Sequence, residues 1–248
     1  MAPMRRRGAR PESPPVTRLC NLGNDALTVI AQHVSRDDHF VFKIVCTAFK
    51  TAVDPGRTWT PVSSVVRSVP LLQWARQQGC PLNASTCRHA ARGGHLEVLQ
   101  WLRANGCPLD EYTCVYAAMG GHLEVLKWLR ANGCPWDHWT CEYAAEGGHL
   151  EVLQWARANG CPWDLCTCAG AARGGDLEVL QWLRANDCPW NEYTCTSAAG
   201  HGHLEVLKWA RAHGCPWDEN TCVEAARGGH LEVLQWARDH GCPQECTE

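Results

Sequence analysis

Seventeen cysteines and twelve histidines are the residues of this chain that could ligate a metal, exchange disulfides or move protons, and most stand on one strict period. Cys80, Cys107, Cys134, Cys161, Cys188, Cys215 and Cys242 form one ladder, and Cys87, Cys114, Cys141, Cys168, Cys195 and Cys222 form a second, each stepping by 27 residues. His95, His122, His149, His203 and His230 open a recurring His-Leu-Glu-Val-Leu motif in the same step, with Asp176 in the place of a sixth histidine. A structural zinc site asks for Cys-x-x-Cys or a histidine at a comparable ligand spacing, which the ladders lack. Packed helices lie roughly 8–10 Å apart, beyond a disulfide or a shared metal for equivalent positions of successive units. Proximity is left to pairs between the ladders, such as Cys107 with Cys114 across one turn. The ladder thiols are therefore expected to be small buried hydrophobes. Cys166 beside Cys168, and Cys242 beside Cys246, interrupt the spacing and are the thiols expected to react. Because Asp176 replaces a histidine at a helix start, the histidines are assigned a capping or turn role and not metal ligation. No Ser, His and Asp set, paired acid cluster or phosphate loop stands out, so no catalytic residue, metal or cofactor is expected and the chain is not read as an enzyme.

The elements that must position these ladders can be read from one unit. Leu96, Val98, Leu99, Trp101 and Leu102 form one broad helical face, while Glu97, Gln100 and Arg103 fall elsewhere, which predicts the longer helix of the unit over 96–105. Gly106 can turn left-handed after it and Pro108 cannot continue it. Asp110 then offers a cap to a shorter helix over 111–118, which Gly120 and Gly121 end. A fixed period of this size means stacked supersecondary units, from about residue 66 onward, and such arrays bind more often than they catalyse. Paired alanines, as in Ala117 and Ala118, let neighbouring helices approach closely. One tryptophan per unit (Trp74, Trp101, Trp128, Trp155, Trp182, Trp209, Trp236) is expected to lie with the leucines in the core.

These residues resemble the ankyrin repeat: Gly94-His95-Leu96-Glu97-Val98-Leu99 is similar to the start of its second helix, and Ala90-Ala91-Arg92-Gly93-Gly94-His95 to its Ala-Ala-x-x-Gly-His junction. The family's Thr-Pro-Leu-His entry is replaced by Thr-Cys, as in Thr113-Cys114, and the unit is shorter than the typical repeat of about 33 residues. The resemblance implies an all-α, ankyrin-like helical solenoid. Only Gly106 to Asp110 remain between the helices, too few for two strands and a turn, so the family's projecting hairpins are expected to be absent or vestigial. Short Cys-Pro-Trp units of this kind are similar to the expanded ankyrin families of giant DNA viruses of amoebae and of some protists. The resemblance implies a protein-binding role.

Upstream the pattern changes. Residues 1–18 pair Arg5, Arg6, Arg7 and Arg10 with prolines and are expected to be a disordered basic arm, which leaves a nuclear address open. With a net charge of −3 and no apolar run of membrane-spanning length, the chain is expected inside the cell, in the cytoplasm, or in the host's if the chain is viral. Neither a membrane nor a nucleic acid is expected as a partner. Over 19–60, Leu27, Ile30 and Val34 share a helical face and Phe40, Phe42, Ile44, Val45, Cys46 and Phe49 form a second apolar group, which predicts a small helical module ahead of an array over 61–248. Leu22, Asp25, Leu27, Ile30 and Val34, with Val45-Cys46-x-x-Phe49 and Trp59, resemble the F-box, although Gly23, Ala26 and His39 depart from its pattern. The resemblance implies a substrate receptor that docks on the Skp-type adaptor of a cullin-RING ubiquitin ligase through Leu22, Leu27, Ile30, Val34, Val45, Cys46 and Phe49.

Target specificity is sought where units differ while their framework stays fixed. Those positions are the first turns of the shorter helices: Arg88 and His89; Tyr112, Val115 and Tyr116; Trp139, Glu142 and Tyr143; then Leu165, Tyr193, Asn220 and Glu224. Aromatic anchors favour the stretch from Tyr112 to Tyr143, so Arg88, His89, Tyr112, Val115, Tyr116, Trp139, Glu142 and Tyr143 are the expected target-binding residues. Two other readings stand beside this one: a scaffold or decoy that sequesters a partner without a ligase, and a thiol-based redox or zinc protein. The last helix, Leu231 to His240, has little polar capping and is expected to favour self-association.

Overall fold

The computed structural model describes residues 66–77 and 82–243. The arginine-rich arm, the adaptor-docking set Leu22, Leu27, Ile30, Val34, Val45, Cys46 and Phe49, and the cysteines Cys80 and Cys246 lie outside the described residues. The chain divides into two compact units, Met1–Val65 with Pro70–Pro81 and Val66–Val69 with Leu82–Glu248. Helix α1 (Val69–Gln77) falls almost wholly in the first and buries Leu72.

The second unit is a succession of helix pairs: α2 (Ala84–Arg92) and α3 (Leu96–Ala104), α4 (Glu111–Met119) and α5 (Leu123–Ala131), α6 (His138–Glu146) and α7 (Leu150–Ala158), α8 (Leu165–Gly174) and α9 (Leu177–Ala185), α10 (Glu192–Gly200) and α11 (Leu204–Ala212), α12 (Glu219–Arg227) and α13 (Leu231–Asp239). The helices are nearly equal in length: α3 and the α4 that follows it both span nine residues, where the sequence predicts α3 to be longer, and only α8 reaches ten. We call α2, α4, α6, α8, α10 and α12 entry helices and their partners return helices. Among the described residues there is no strand, and the projecting hairpins are missing.

The Thr-Cys motif has a local cause. Asp110 accepts from the Thr113 amide at 3.1 Å while Thr113 Oγ1 accepts from the Asp110 amide at 3.3 Å, a reciprocal box that satisfies amides left open at a helix start. Asn83 with Thr86 and Asp164 with Thr167 repeat it. The next residue, cysteine, then points into the core. Return helices end where Asn105 Nδ2 bonds back to the Trp101 carbonyl at 2.8 Å, after which Gly106 turns left-handed at φ +81.

Entry helices stack on one another in sequence, α2 on α4, α4 on α6, and so on to α12, while each return helix packs on the entry helix of its own unit. The stacking surface is the alanine pair: Ala90, Ala91, Ala117, Ala118, Ala144 and Ala145 are wholly buried. Val98, Leu99 and Leu102 and their equivalents fill the space between the two columns, each leucine stabilising by about 1.5–3 kcal/mol before the cost of ordering. The tryptophans expected in this core are not there: Trp101, Trp128, Trp155, Trp182, Trp209 and Trp236 are only half-buried. Trp155, Trp182, Trp209 and Trp236 lie toward the loop side of the return helices, where they meet a second row of tryptophans.

The histidines do not cap the helices they precede. His95, His122, His149, His203 and His230 make no side-chain cap bond, whereas Asp176 accepts from the Val179 amide at 3.0 Å. The imidazole instead reaches back to the preceding unit: Nε2 of His122 stands 2.9 Å from the Arg92 carbonyl, that of His149 3.1 Å from Met119, and that of His203 3.0 Å from Arg173. Each of these carbonyls lies in the last turn of an entry helix, where no intrahelical amide is left to pair it. The ring lies against a glycine pair, and a Cβ added to Gly94 would come within 2.7 Å of the His122 ring.

Candidate protein-binding site

The entry helices α4 and α6 present their first turns side by side. Tyr112 stacks on Trp139 with centroids 5.6 Å apart and planes at 30°. Arg88, from α2, lies 4.7 Å above the Tyr112 ring and is held there by Asp110, with its Nε 3.1 Å from the carboxylate. Burial raises the cost of the Asp110 charge, but hydrogen bonds from Arg88 and Thr113 outweigh it and hold the carboxyl below its ordinary range. His89 meets Tyr116 edge-on at 6.2 Å, and burial lowers the pKa of its ring.

Between these rings lies a groove of 220 Å³ lined by Tyr112, Val115, Tyr116, Met119, Trp139 and Tyr143. Val115 forms its buried floor, and Trp139, 36% exposed, is its most open wall. Of the sequence-selected target-binding residues, five line this groove, and Arg88 and His89 abut it through Tyr112 and Tyr116. Glu142 does not join them. Its carboxylate turns toward the following unit, 3.5 Å from Arg173, and its pKa is raised mainly by burial. Met119 is the lining residue that sequence reasoning missed. It stands where other units carry Arg92, Glu146 or Arg173, so the same comparison between units would have found it had it been extended to the last turn. Tyr193, 60% exposed, lies outside the groove, as do Leu165, Asn220 and Glu224.

On the loop side a different row repeats. Trp136 meets Trp155 at 5.9 Å, and Trp163–Trp182, Trp190–Trp209 and Trp217–Trp236 repeat the edge-to-face contact. An arginine covers each outer indole: Arg130 on Trp136, Arg157 on Trp163, Arg184 on Trp190 and Arg211 on Trp217. The guanidinium groups also donate to loop carbonyls, as Arg130 does to that of Cys134. These residues satisfy one another and hold the loops.

The cysteine ladders meet, but not as Cys107 with Cys114. The partner lies 20 residues on: Cys87 Sγ stands 3.1 Å from Cys107 Sγ. The loop thiol also donates to the carbonyl of the residue capping its own entry helix, Cys107 to Asn83 at 3.0 Å and Cys134 to Asp110 at 3.1 Å. All the described cysteines are free thiols, and all but Cys166 are buried. Of the four thiols expected to react, burial and the neighbouring Asp164 push Cys166 up, burial pushes Cys242 up to about 12, Cys168 is wholly buried, and Cys246 lies outside the described residues. Among the described residues no group of three or more His, Cys, Asp or Glu side chains could hold a metal ion, and no helix is long and apolar enough to cross a membrane.

No curated protein matches the chain. Among solved structures, the human ASB11 ankyrin repeat domain is 20% identical over 63% of this chain and 83% of its own, with a TM-score of 0.48. Residues 114–157, from within α4 to the end of α7, match the family model for ankyrin repeats (many copies). That segment, which supplies most of the aromatic groove, is thus similar to ankyrin repeats.

Proposed function

We propose that the groove between α4 and α6 is where this protein holds a target protein. The observation that carries the reading is the convergence of Tyr112, Tyr116, Trp139 and Tyr143 on one half-open depression, in an array whose other apolar side chains are largely committed to packing. Aromatic side chains at the centre of an apolar depression are what protein interfaces use as anchors. Arg88, Asp110 and His89 supply a polar rim on one side.

The target is held, in this reading, for ubiquitylation. Leu22, Leu27, Ile30, Val34, Val45, Cys46 and Phe49 would dock on a Skp-type adaptor, as the F-box resemblance of 19–60 implies, while the array positions the target without chemistry of its own. The test is co-purification of the full chain, and of its Leu27→Glu, Ile30→Glu variant, with a eukaryotic Skp-type adaptor. Retention of the full chain and loss of the variant support a ligase receptor. Equal absence of retention leaves a binding scaffold or decoy. Cross-linking in cell extract with and without Trp139→Ala tests the groove separately: the reading requires that specific cross-links through the array disappear in the variant.

A further inference from the structure

The buried thiols form a series that binding does not use. Each unit pairs one cysteine of its entry helix with one from the loop after its return helix: Cys87 with Cys107, Cys114 with Cys134, Cys141 with Cys161, Cys168 with Cys188, Cys195 with Cys215, and Cys222 with Cys242. In the first pair the sulfurs are 3.1 Å apart, and the repeat sets the equivalent cysteines at the same two positions of every other unit. At that separation the two sulfurs already touch, and a disulfide asks for about 1 Å of further approach, within reach of side-chain rotation. A small apolar residue at either position would fill the same space without bringing a second sulfur to it. Yet both members are cysteine in every one of these units, while Tyr112, Trp139, Leu165 and Tyr193 show how freely the entry helices otherwise vary.

We propose that these pairs are modification sites, dithiols that a peroxide oxidises to one disulfide within each unit. In the first pair the loop cysteine attacks first. Its sulfur accepts the partner's S–H, which in Cys107, Cys134 and Cys215 lowers the thiol pKa and stabilises the thiolate. Taking Cys107 as the example, its thiolate displaces hydroxide from hydrogen peroxide and becomes a sulfenic acid. The Cys87 sulfur then attacks that sulfur, the S–O bond breaks, and the hydroxyl leaves as water with the Cys87 proton. Two thiols and one peroxide give one disulfide and two waters, and a dithiol reductant reverses the change. Access sets the order: Cys222 and Cys242 are 6% and 5% exposed, whereas Cys141, Cys161, Cys168 and Cys188 are wholly enclosed. The pair at the last described unit therefore oxidises before those of the middle of the array.

The test treats the reduced full chain with a graded excess of hydrogen peroxide, blocks the remaining thiols in denaturant, and maps the disulfides by mass spectrometry without reduction. The expected result is a monomer that loses two hydrogens, about 2 Da, per pair, with links between cysteines 20 residues apart and Cys222–Cys242 appearing first. A Cys134→Ser chain should lose the Cys114 link alone and keep the others. Links within one ladder, cross-linked dimers, oxygen added to unpaired thiols, or pairs still free once Cys166 is oxidised would each overturn the proposal. The same treatment in denaturant should scatter the links, which separates folded proximity from cysteine abundance.

Discussion

Arg130 lies over the indole of Trp136, its guanidinium carbon 4.1 Å from the ring centroid, and donates to the carbonyl of Cys134 from the same position. A planar guanidinium stacks its face on the ring while its edge N–H groups donate outward, a geometry that the compact ammonium of lysine lacks. Arg130→Lys should destabilise the array by about 1 kcal/mol, read as a lower urea midpoint. Target capture through the groove should be unchanged, because Arg130 lies outside it.

Trp139 and Trp155 should behave oppositely although both are tryptophans at the edge of the fold. Trp139 faces the groove, and Trp139→Ala should reduce target affinity at least tenfold, the ordinary cost of about 1.4 kcal/mol or more for an interface anchor, while the thermal midpoint holds. Trp155 packs edge-on against Trp136. Trp155→Ala should instead lower stability by about 2–4 kcal/mol and leave affinity intact wherever the protein is folded. Titration calorimetry beside thermal denaturation distinguishes the two.

Asp187 is the one non-glycine among the described residues with a positive φ, 60°, at a turn where other units place Gly106, Gly133, Gly160, Gly214 or Gly241. Asp187→Gly should stabilise by about 1 kcal/mol by releasing the left-handed strain. Gly121→Ala should do the reverse, because its φ is +74° and the new Cβ would meet His149 at 2.7 Å. Gly133→Ala has a similar φ of +75° and open space around it, so the difference between the two alanine variants measures the histidine contact alone.

Acid should weaken the fold in two stages. Burial lowers the pKa of His89 and His95 below the ordinary 6.5, so both are held neutral. For such a group the unfolded chain takes up protons first. Its stabilising contribution is full above pH 6.5 and falls as the pH drops below that value toward the folded pKa. Asp110, whose folded pKa is depressed, keeps its contribution above the ordinary 3.8 and loses it below. Denaturation midpoints should therefore decline from about pH 6.5 downward and again below about pH 4. His95→Asn should flatten the first decline, and an unchanged slope in that variant would count against the assignment.

Much of the fold was legible because its determinants are local. Asp110, Thr113, Gly106 and Gly121 state where each helix starts and stops, and the alanine pairs state which faces touch. The groove was legible for a related reason: Tyr112, Tyr116, Trp139 and Tyr143 stand at the same places in successive units, so a stacked array brings them together. What escaped depends on distances between residues far apart in the chain. The pairing of Cys87 with Cys107 follows from how a loop folds back over its own entry helix, and helical periodicity carries no record of that. The tryptophan row fell on an apolar face by count, but its outer edge meets Trp136 and its equivalents at the loops and not the leucines. His122 was placed at a helix start correctly, and its ring pairs with the Arg92 carbonyl of the preceding unit and not with the amides of its own helix.

The alanine contacts between entry helices are nearly the same at every step, and so are the junctions on either side of them. Excising residues 123–149 would join His122 to Leu150, restoring the His-Leu sequence that each return helix already begins with. The new neighbours, α4 and α8, would meet through Ala117 and Ala118 on one side and Ala171 and Ala172 on the other, the residues each already offers to α6. Copying or losing one period in frame is thus a change the core can absorb without inventing a contact. The same event would redraw the groove, since Trp139 and Tyr143 belong to the block that is removed. Heredity can in this way vary what the protein grips, one period at a time, while the rules by which it folds are passed on intact.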